Sequence, residues 1–178
     1  AFGEVGPEDI VQGRVDGAIM GHWDDLETIL ALQRAKIPVV VTSHLQENIP
    51  FMQVVPDDYA MGVLAAEHLA SKGFRTFAYY GMSEATSVSW DRLRRAGFVD
   101  TLKKLNHPVH IYENPVPDWW RFQNDQQQKN LRRWLKNLPK PFALFACLDR
   151  FAYEAIRLAR EEGLMMPEDM AVCGVDNS

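Results

Sequence analysis

The chain has 178 residues, of which 47% are hydrophobic and 11% aromatic; this is enough to form a buried core and excludes an intrinsically disordered segment. It carries 19 basic and 24 acidic residues, for a formal net charge of -5, and no run of lysine and arginine forms a track for nucleic acid. No stretch approaches the ~18 apolar residues of a membrane span and no signal peptide opens the chain, so we expect a cytoplasmic protein without a membrane partner.

The first half of the chain alternates short apolar or β-branched runs with longer helical patterns. This alternation is typical of βα units and a parallel sheet. Apolar residues at helical spacing, each series preceded by aspartates that can cap, predict two helices. The predicted strands are Asp16–Met20, Pro38–Thr42 and Met52–Val55, and the predicted helices run from Asp24 or Asp25 to Ala35 and from Asp57 or Asp58 to Gly73.

The second half repeats the same rhythm. Its two cysteines, Cys147 and Cys173, lie in apolar runs, so we expect reduced thiols in the core. The predicted strands are Phe77–Tyr80, Val109–Tyr112, Phe142–Cys147 and Met170–Gly174, and the predicted helices run through Leu93 to Leu105, from Phe122 to Asn137, and onward from Asp149 as a cap.

Each predicted strand ends in a polar loop. In open α/β sheets ligands bind outside the carboxyl ends of the strands, so these loops are the place to look for a site. Together they supply carboxylates, arginines and aromatic rings, which predicts a polar cleft with stacking surfaces. The loops are His22–Asp25, Thr42–His44, Pro56–Tyr59, Met82–Arg94, Asn114–Trp120, Leu148–Arg150 and Asp176–Ser178.

An ordered series of short motifs resembles the effector-binding domain of the lactose/galactose-repressor family, and it spans nearly the whole chain. No single motif decides the resemblance; the order and the intervals do. The motifs are Val54 to Gly62, Ala66-Glu67-His68-Leu69, Gly73 to Gly81, Arg94-Arg95-Ala96-Gly97-Phe98, Leu148 to Ala152, and Gly174-Val175-Asp176-Asn177.

The resemblance implies an α/β, two-lobed, periplasmic-binding-protein-like fold of type I, with an N-terminal lobe at 1–73 and a C-terminal lobe at 74–178. The effector would lie between the lobes. The chain begins without Met inside a helical pattern and stops directly after a strand, so we interpret it as an interior fragment, truncated at both ends.

Within the family, several features are similar to regulators of bacterial xylose operons. In these regulators the sensor is joined to an arabinose-regulator-type helix-turn-helix domain, so operator DNA would be bound only through a domain that this chain does not contain. A homodimer, a small sugar effector such as xylose and no cofactor are also implied. The features are Gly21 to Asp25, Tyr79-Tyr80-Gly81, Trp90 ahead of Arg94, and Trp134 to Pro139.

The resemblance also implies which residues hold the sugar. Arg94, three residues before Gly97, matches the arginine that contacts the effector, and its guanidinium offers several donors in a fixed fork. Asp176 matches the acidic position that takes paired hydroxyls after the last strand. The alternatives are a solvated helix charge for Arg94 and a turn or cap for Asp176. We expect Arg94→Ala and Asp176→Ala to abolish sugar binding and to leave the melting temperature nearly unchanged.

Three further aspartates are candidates with open roles. Asp57 and Asp58 match an Asp-Asn pair of the family, and one is expected to cap the helix while the other faces the cleft. Asp149 binds the ligand or caps the following helix. The family's usual Asn contact before it is replaced by Leu148, which cannot hydrogen-bond through its side chain.

The remaining candidates are aromatic rings and one histidine-containing turn. Trp90, Trp119 and Trp120 could stack on the sugar, although each could equally be a core residue. His22 and Asp24 lie in the loop after the first strand, and a histidine beside carboxylates could bind a metal ion. Because these residues share one tight turn with no distant ligand, we expect no metal site.

Two other functions are compatible with parts of this pattern. A periplasmic sugar-binding protein of a transporter shares the fold, and only an attached domain or a signal peptide would distinguish it. An enzyme is not expected, because the sequence has no glycine-rich phosphate loop, nucleophile elbow or spaced set of metal ligands.

Overall fold

The computed structural model describes residues 16–21, 26–42, 52–84, 88–114 and 124–176. The chain forms two compact units, which divide between Pro56 and Asp57. The helix that follows Asp57 therefore belongs to the second unit by its packing. The assignment of two lobes on either side of Gly73 stays a prediction.

The first unit is a small parallel sheet. Its elements are β1 (Ala18–Met20), α1 (Leu26–Arg34), β2 (Val39–Thr42) and β3 (Met52–Val54), and the strand order is β1-β2-β3. Met20 pairs with Val41 in the sheet register, and both side chains are buried. Ile29 and Leu32, three residues apart on α1, complete this core because that spacing places them on one face of the helix.

The second unit contains a four-stranded parallel sheet in the order β5-β4-β6-β7. The central strands β4 and β6 are buried at almost every position, as expected for parallel strands covered on both faces. Its elements are α2 (Asp58–Ser71), β4 (Thr76–Met82), α3 (Ser89–Lys104), β5 (Val109–Asn114), α4 (Asp125–Asn137), β6 (Phe142–Ala146), α5 (Asp149–Glu161) and β7 (Met170–Cys173).

The predicted α/β fold class is confirmed, since parallel sheets alternate with helices along the chain. Most predicted boundaries differ from the observed ones by one or two residues. The strand predicted to end at Tyr80 continues to Met82, and the predicted helix start at Phe122 lies outside the described residues. One prediction is wrong: Asp149 does not cap α5. Leu148 is the N-cap residue, without a side-chain hydrogen bond, and Asp149 is the first helical residue.

Helices α2 and α3 pack closely because each contributes a glycine to the contact. A β-carbon at Gly62 would lie 2.7 Å from the Phe98 backbone nitrogen, and one at Gly97 would lie 3.0 Å from the Tyr59 carbonyl carbon. Backbone atoms cannot rotate away as side chains can, so both positions exclude any larger residue unless the helices separate. This close packing sets the spacing between the first turn of α2 and the middle of α3.

Two tyrosines lie in the core of the second unit and a third, Tyr112, packs against it, and all three interact with carboxylates. The Tyr79 hydroxyl donates to Asp91 Oδ1 at 2.8 Å, and the Tyr80 hydroxyl donates to Glu154 Oε2 at 2.8 Å. Burial, reinforced by these carboxylates, raises the pKa of Tyr79 and Tyr80 well above the usual value. Burial and the nearby Glu154 raise the pKa of Tyr112 to about 12.

These shifts predict a loss of stability at alkaline pH. A tyrosine whose pKa is raised by folding keeps its proton longer in the folded state than in the unfolded state, so its contribution is fully present below about pH 10 and is lost as the pH rises toward the folded pKa. Each such tyrosine lowers the free energy of unfolding by about 1.4 kcal/mol per pH unit in that range. Urea unfolding between about pH 8 and about pH 11 measures the slope. Tyr112→Phe should reduce it and Tyr153→Phe, at a 64% exposed position, should not; equal slopes would contradict this explanation.

Candidate functional site

The candidate site lies in the second unit. It is formed by the C-terminal ends of β6 and β7 and by the N-terminal halves of helices α2, α3 and α5. Five predicted site residues are found there: Asp58, Trp90, Arg94, Asp149 and Asp176. Arg94 is at its centre, and its position is fixed by three different elements of the fold.

Arg94 is buried rather than solvated, with 6% of its surface exposed. Its Nε donates to Asp58 Oδ1 at 2.9 Å, and its Nη1 donates to the carbonyl oxygen of Cys147 at 2.7 Å. The guanidinium carbon lies 5.0 Å from the centre of the Trp90 ring, within the range of a cation–π contact. The third nitrogen, Nη2, faces Asp176 Oδ1 at 4.0 Å.

The structure separates the roles of the two adjacent aspartates at the start of α2. Asp57 caps the helix, since its Oδ1 accepts from the Ala60 backbone N–H at 2.9 Å. Asp58 is 2% exposed and forms the ion pair with Arg94. Burial raises the pKa of Asp58, and the nearby Asp176 and Asp57 act in the same direction, whereas the Arg94 guanidinium lowers it.

Asp176 follows β7 and is the more accessible acid, with a side chain that is 45% exposed. Its φ of 102° lies in the left-handed region, where a residue other than glycine is strained by about 1–3 kcal/mol. The chain before it is held in place, because the Asp149 backbone N–H donates to the carbonyl oxygen of Val175 at 2.9 Å. Asp176 is therefore presented beside Arg94 by a fixed loop.

Asp149 lies against the same loop. A β-carbon at Gly174 would be 3.2 Å from the Asp149 carboxyl carbon, so only glycine leaves room for this carboxylate. The structure therefore turns Asp149 toward the end of β7. Its predicted contact with a ligand stays a prediction.

Behind Arg94, a buried group of polar side chains supports the site. Asp91 is fully buried and accepts from the Tyr79 hydroxyl, and Arg95 donates to the Met82 carbonyl oxygen at 2.6 Å and to Glu113 at 2.8 Å. Burial foremost, and then the adjacent Asp91, raise the pKa of the Cys147 thiol well above its usual range, so it stays protonated. Sequence reasoning identified none of these partners.

Four predicted site residues, His22, Asp24, Trp119 and Trp120, lie outside the described residues. Within the described residues, no three histidine, cysteine, aspartate or glutamate side chains come together as a metal site would require. None of the helices that the structure describes is both long enough and apolar enough to cross a membrane.

Comparisons with known sequences agree with this architecture. Residues 66–178 match the family model described as a periplasmic binding protein-like domain. The xylose operon regulatory protein of Haemophilus influenzae is 30% identical over 177 residues, which cover 96% of this chain and 44% of that protein. The protein of the same name from Escherichia coli strain K12 is 26% identical, with 95% of this chain and 44% of that protein covered.

Solved structures give the same result. A xylose-binding transcription activator superposes with a TM-score of 0.76 at 28% identity over 92% of this chain and 43% of its own. A protein from Alkaliphilus metalliredigens, described as a periplasmic binding protein/LacI transcriptional regulator and solved with D-xylulofuranose, has a TM-score of 0.66 at 23% identity over 96% of this chain and 60% of its own, and supports the fold alone.

The chain spans 44% of the length of the xylose operon regulatory proteins that it matches. These relatives are transcription regulators, and the predicted absence of enzymatic activity agrees with them. The matched family model and the parallel α/β architecture place this chain in the periplasmic binding protein-like domain family, which agrees with the predicted resemblance to effector-binding domains of the lactose/galactose-repressor type.

Proposed function

We propose that this chain is the sugar-sensing domain of a bacterial transcription regulator and that its effector is D-xylose. The observation that carries the proposal is the pairing of a fixed donor, Arg94 Nη2, with an accessible acceptor, Asp176 Oδ1, at 4.0 Å. Operator DNA would be bound by a separate domain of the whole protein, and a homodimer stays a prediction.

A sugar hydroxyl suits this pair because it both donates and accepts a hydrogen bond. An oxygen placed at about 2.8 Å from each atom would accept from Arg94 and donate to Asp176. The 4.0 Å separation leaves room for such an oxygen, with an angle of about 90° at the hydroxyl. The arrangement can hold a polyol, and the buried Cys147 thiol beside it stays protonated.

The choice of xylose rests on the relatives. Two of them are named as xylose operon regulators, and a structural neighbour at 28% identity is described as xylose-binding. A periplasmic sugar-binding protein of a transporter shares this fold, but the relatives found by sequence are regulators, which favours regulation. Signalling requires only that the sugar bind one conformation of the domain better than another, and couplings of about 1–3 kcal/mol are typical.

A fluorescence titration tests the proposal, because the Trp90 ring lies against the Arg94 guanidinium and should report its environment. We expect a saturable change with D-xylose, and an affinity at least about tenfold higher than for ribose, arabinose or glucose, which corresponds to about 1.4 kcal/mol. Asp176→Asn should weaken binding by about 10- to 100-fold, the usual value of a hydrogen bond to a charged group.

Glu168→Gln is the matched control, since it makes the same change of charge. Glu168 precedes the start of β7 and Asp176 follows its end, so the two residues lie at opposite ends of this strand. Calorimetry provides a second measurement that does not depend on tryptophan. If xylose produces neither heat nor an emission change, xylose is not the effector. If Asp176→Asn and Glu168→Gln bind xylose equally well, the assigned site is incorrect.

A further inference from the structure

The acids around Arg94 carry more charge than the arginine can neutralise. The ion pair with Asp58 already compensates the guanidinium at 2.9 Å, with both side chains buried. Asp176 adds a second negative charge at 4.0 Å. Asp57 and Asp176 lie close enough to Asp58 to act on its ionisation. Arg94 and these three aspartates therefore sum to a net charge of about -2 when all are ionised.

The helix ends at this edge of the sheet do not compensate for that excess. A helix N-terminus normally attracts an anion through its free N–H groups and its dipole. Here α2, α3 and α5 each have an aspartate in the first turn, Asp58, Asp91 and Asp149 respectively. Each of these aspartates places a negative charge beside the N-terminus of its helix, and this charge opposes the attraction of the helix dipole for a ligand anion.

A second arginine does not reverse the sign. Arg150 lies in the first turn of α5, directly after Asp149. This pair adds one positive and one negative charge, so the charge that the described residues place around Arg94 stays negative. The guanidinium of Arg95 does not add to the charge at Arg94, because it donates hydrogen bonds to Glu113 and to the carbonyl oxygen of Met82.

From this geometry we infer that the site selects its ligand by charge: it accepts a neutral polyhydroxyl compound and excludes sugar acids and sugar phosphates. The inference rests on the proposed sugar-binding function and narrows the class of ligand. Arg94, the residue that would be expected to attract an anion, acts instead as a neutralised hydrogen-bond donor whose direction is set by Asp58, Cys147 and Trp90. Asp58 is therefore a positioning residue.

The test compares xylose with three anionic relatives, xylonate, xylose 5-phosphate and glucuronate, by calorimetry and by competition. We expect each anion to bind at least about 100-fold more weakly than xylose, which is about 2.7 kcal/mol. Because repulsion between partly exposed charges is screened by ions, higher ionic strength should raise the affinity of the anions relative to xylose.

Asp176→Asn separates exclusion by charge from exclusion by size. It removes one charge and keeps the side-chain volume, so the ratio of anion affinity to xylose affinity should rise at least about tenfold. Glu168→Gln, at the other end of β7, should leave this ratio of affinities unchanged.

The possible results are distinguishable. An anion that binds the unmodified protein within tenfold of xylose overturns exclusion by charge and leaves sugar sensing intact. A ratio that responds neither to Asp176→Asn nor to salt also overturns it, because the exclusion would then be steric. If neither xylose nor any other neutral sugar binds, the proposed function fails, and the inference fails with it.

Discussion

Arg94→Ala is expected to destabilise the protein strongly as well as to abolish sugar binding. Its removal leaves the Asp58 carboxylate, 2% exposed, without its guanidinium partner. Breaking a buried ion pair in this way costs about 3–5 kcal/mol, which corresponds to roughly 10 °C in melting temperature for a chain of this size. The expectation from sequence, a nearly unchanged melting temperature, is therefore revised, because it treated Arg94 as a surface residue of the site.

A double substitution separates the two effects of Arg94. Replacing both members of a buried ion pair by apolar residues is often neutral or stabilising. We therefore expect Asp58→Leu combined with Arg94→Leu to recover most of the stability lost in Arg94→Ala and to remain unable to bind xylose. Thermal unfolding and calorimetry measure the two properties. A melting temperature of Arg94→Ala within about 2 °C of the unmodified protein would contradict the importance of the pair.

Gly97→Ala is expected to be the second strongly destabilising substitution, although alanine is normally favoured over glycine in a helix by about 1 kcal/mol. The added β-carbon would meet the backbone of α2 at Tyr59 and Val63, at 3.0 and 3.1 Å. Since overpacking typically costs about 1–3 kcal/mol, and here the obstacle is backbone, we expect a loss at the upper end of that range.

Separating α2 from α3 would also move Asp58 away from Arg94, so Gly97→Ala should weaken sugar binding even though glycine has no side chain with which to contact a ligand. Gly62→Ala should behave in the same way, because the facing atoms belong to the backbone of Arg94 and Phe98. Leu64→Ala, at a position on α2 that is 64% exposed, is the control and should change stability by no more than about 0.5 kcal/mol. A Gly97→Ala protein as stable as the control would show that the helices can separate without cost.

The elements of the fold were predictable because each depends on a local pattern. Val39–Thr42 and Phe142–Ala146 are short apolar runs between turn signals, as parallel strands require, and Gly73 ends a helix with a φ of 92°. The boundaries were less accurate where two residues could serve the same purpose. Leu148 rather than Asp149 precedes α5, so the more polar residue was taken for the cap.

The sequence predicted which residues belong to the site but not how their side chains contact one another. Family resemblance pointed to Arg94 and Asp176, but the ion pair of Arg94 joins residues 36 positions apart, and no local pattern predicts it. Its second partner is the carbonyl oxygen of Cys147, which any residue would supply. Which of Asp57 and Asp58 caps the helix depends on where α3 passes, and that is decided by Gly62 and Gly97 in the packing of the two helices.

The backbone conformation of Asp176 limits how far this domain can be stabilised by engineering. Glycine would adopt a φ of 102° without strain, so the most direct way to relieve the backbone strain in the loop after β7 is to remove the accessible carboxylate beside Arg94. Ligand binding therefore favours aspartate at position 176, whereas thermal stability favours glycine. Variants selected only for heat resistance would tend to lose their response to the effector.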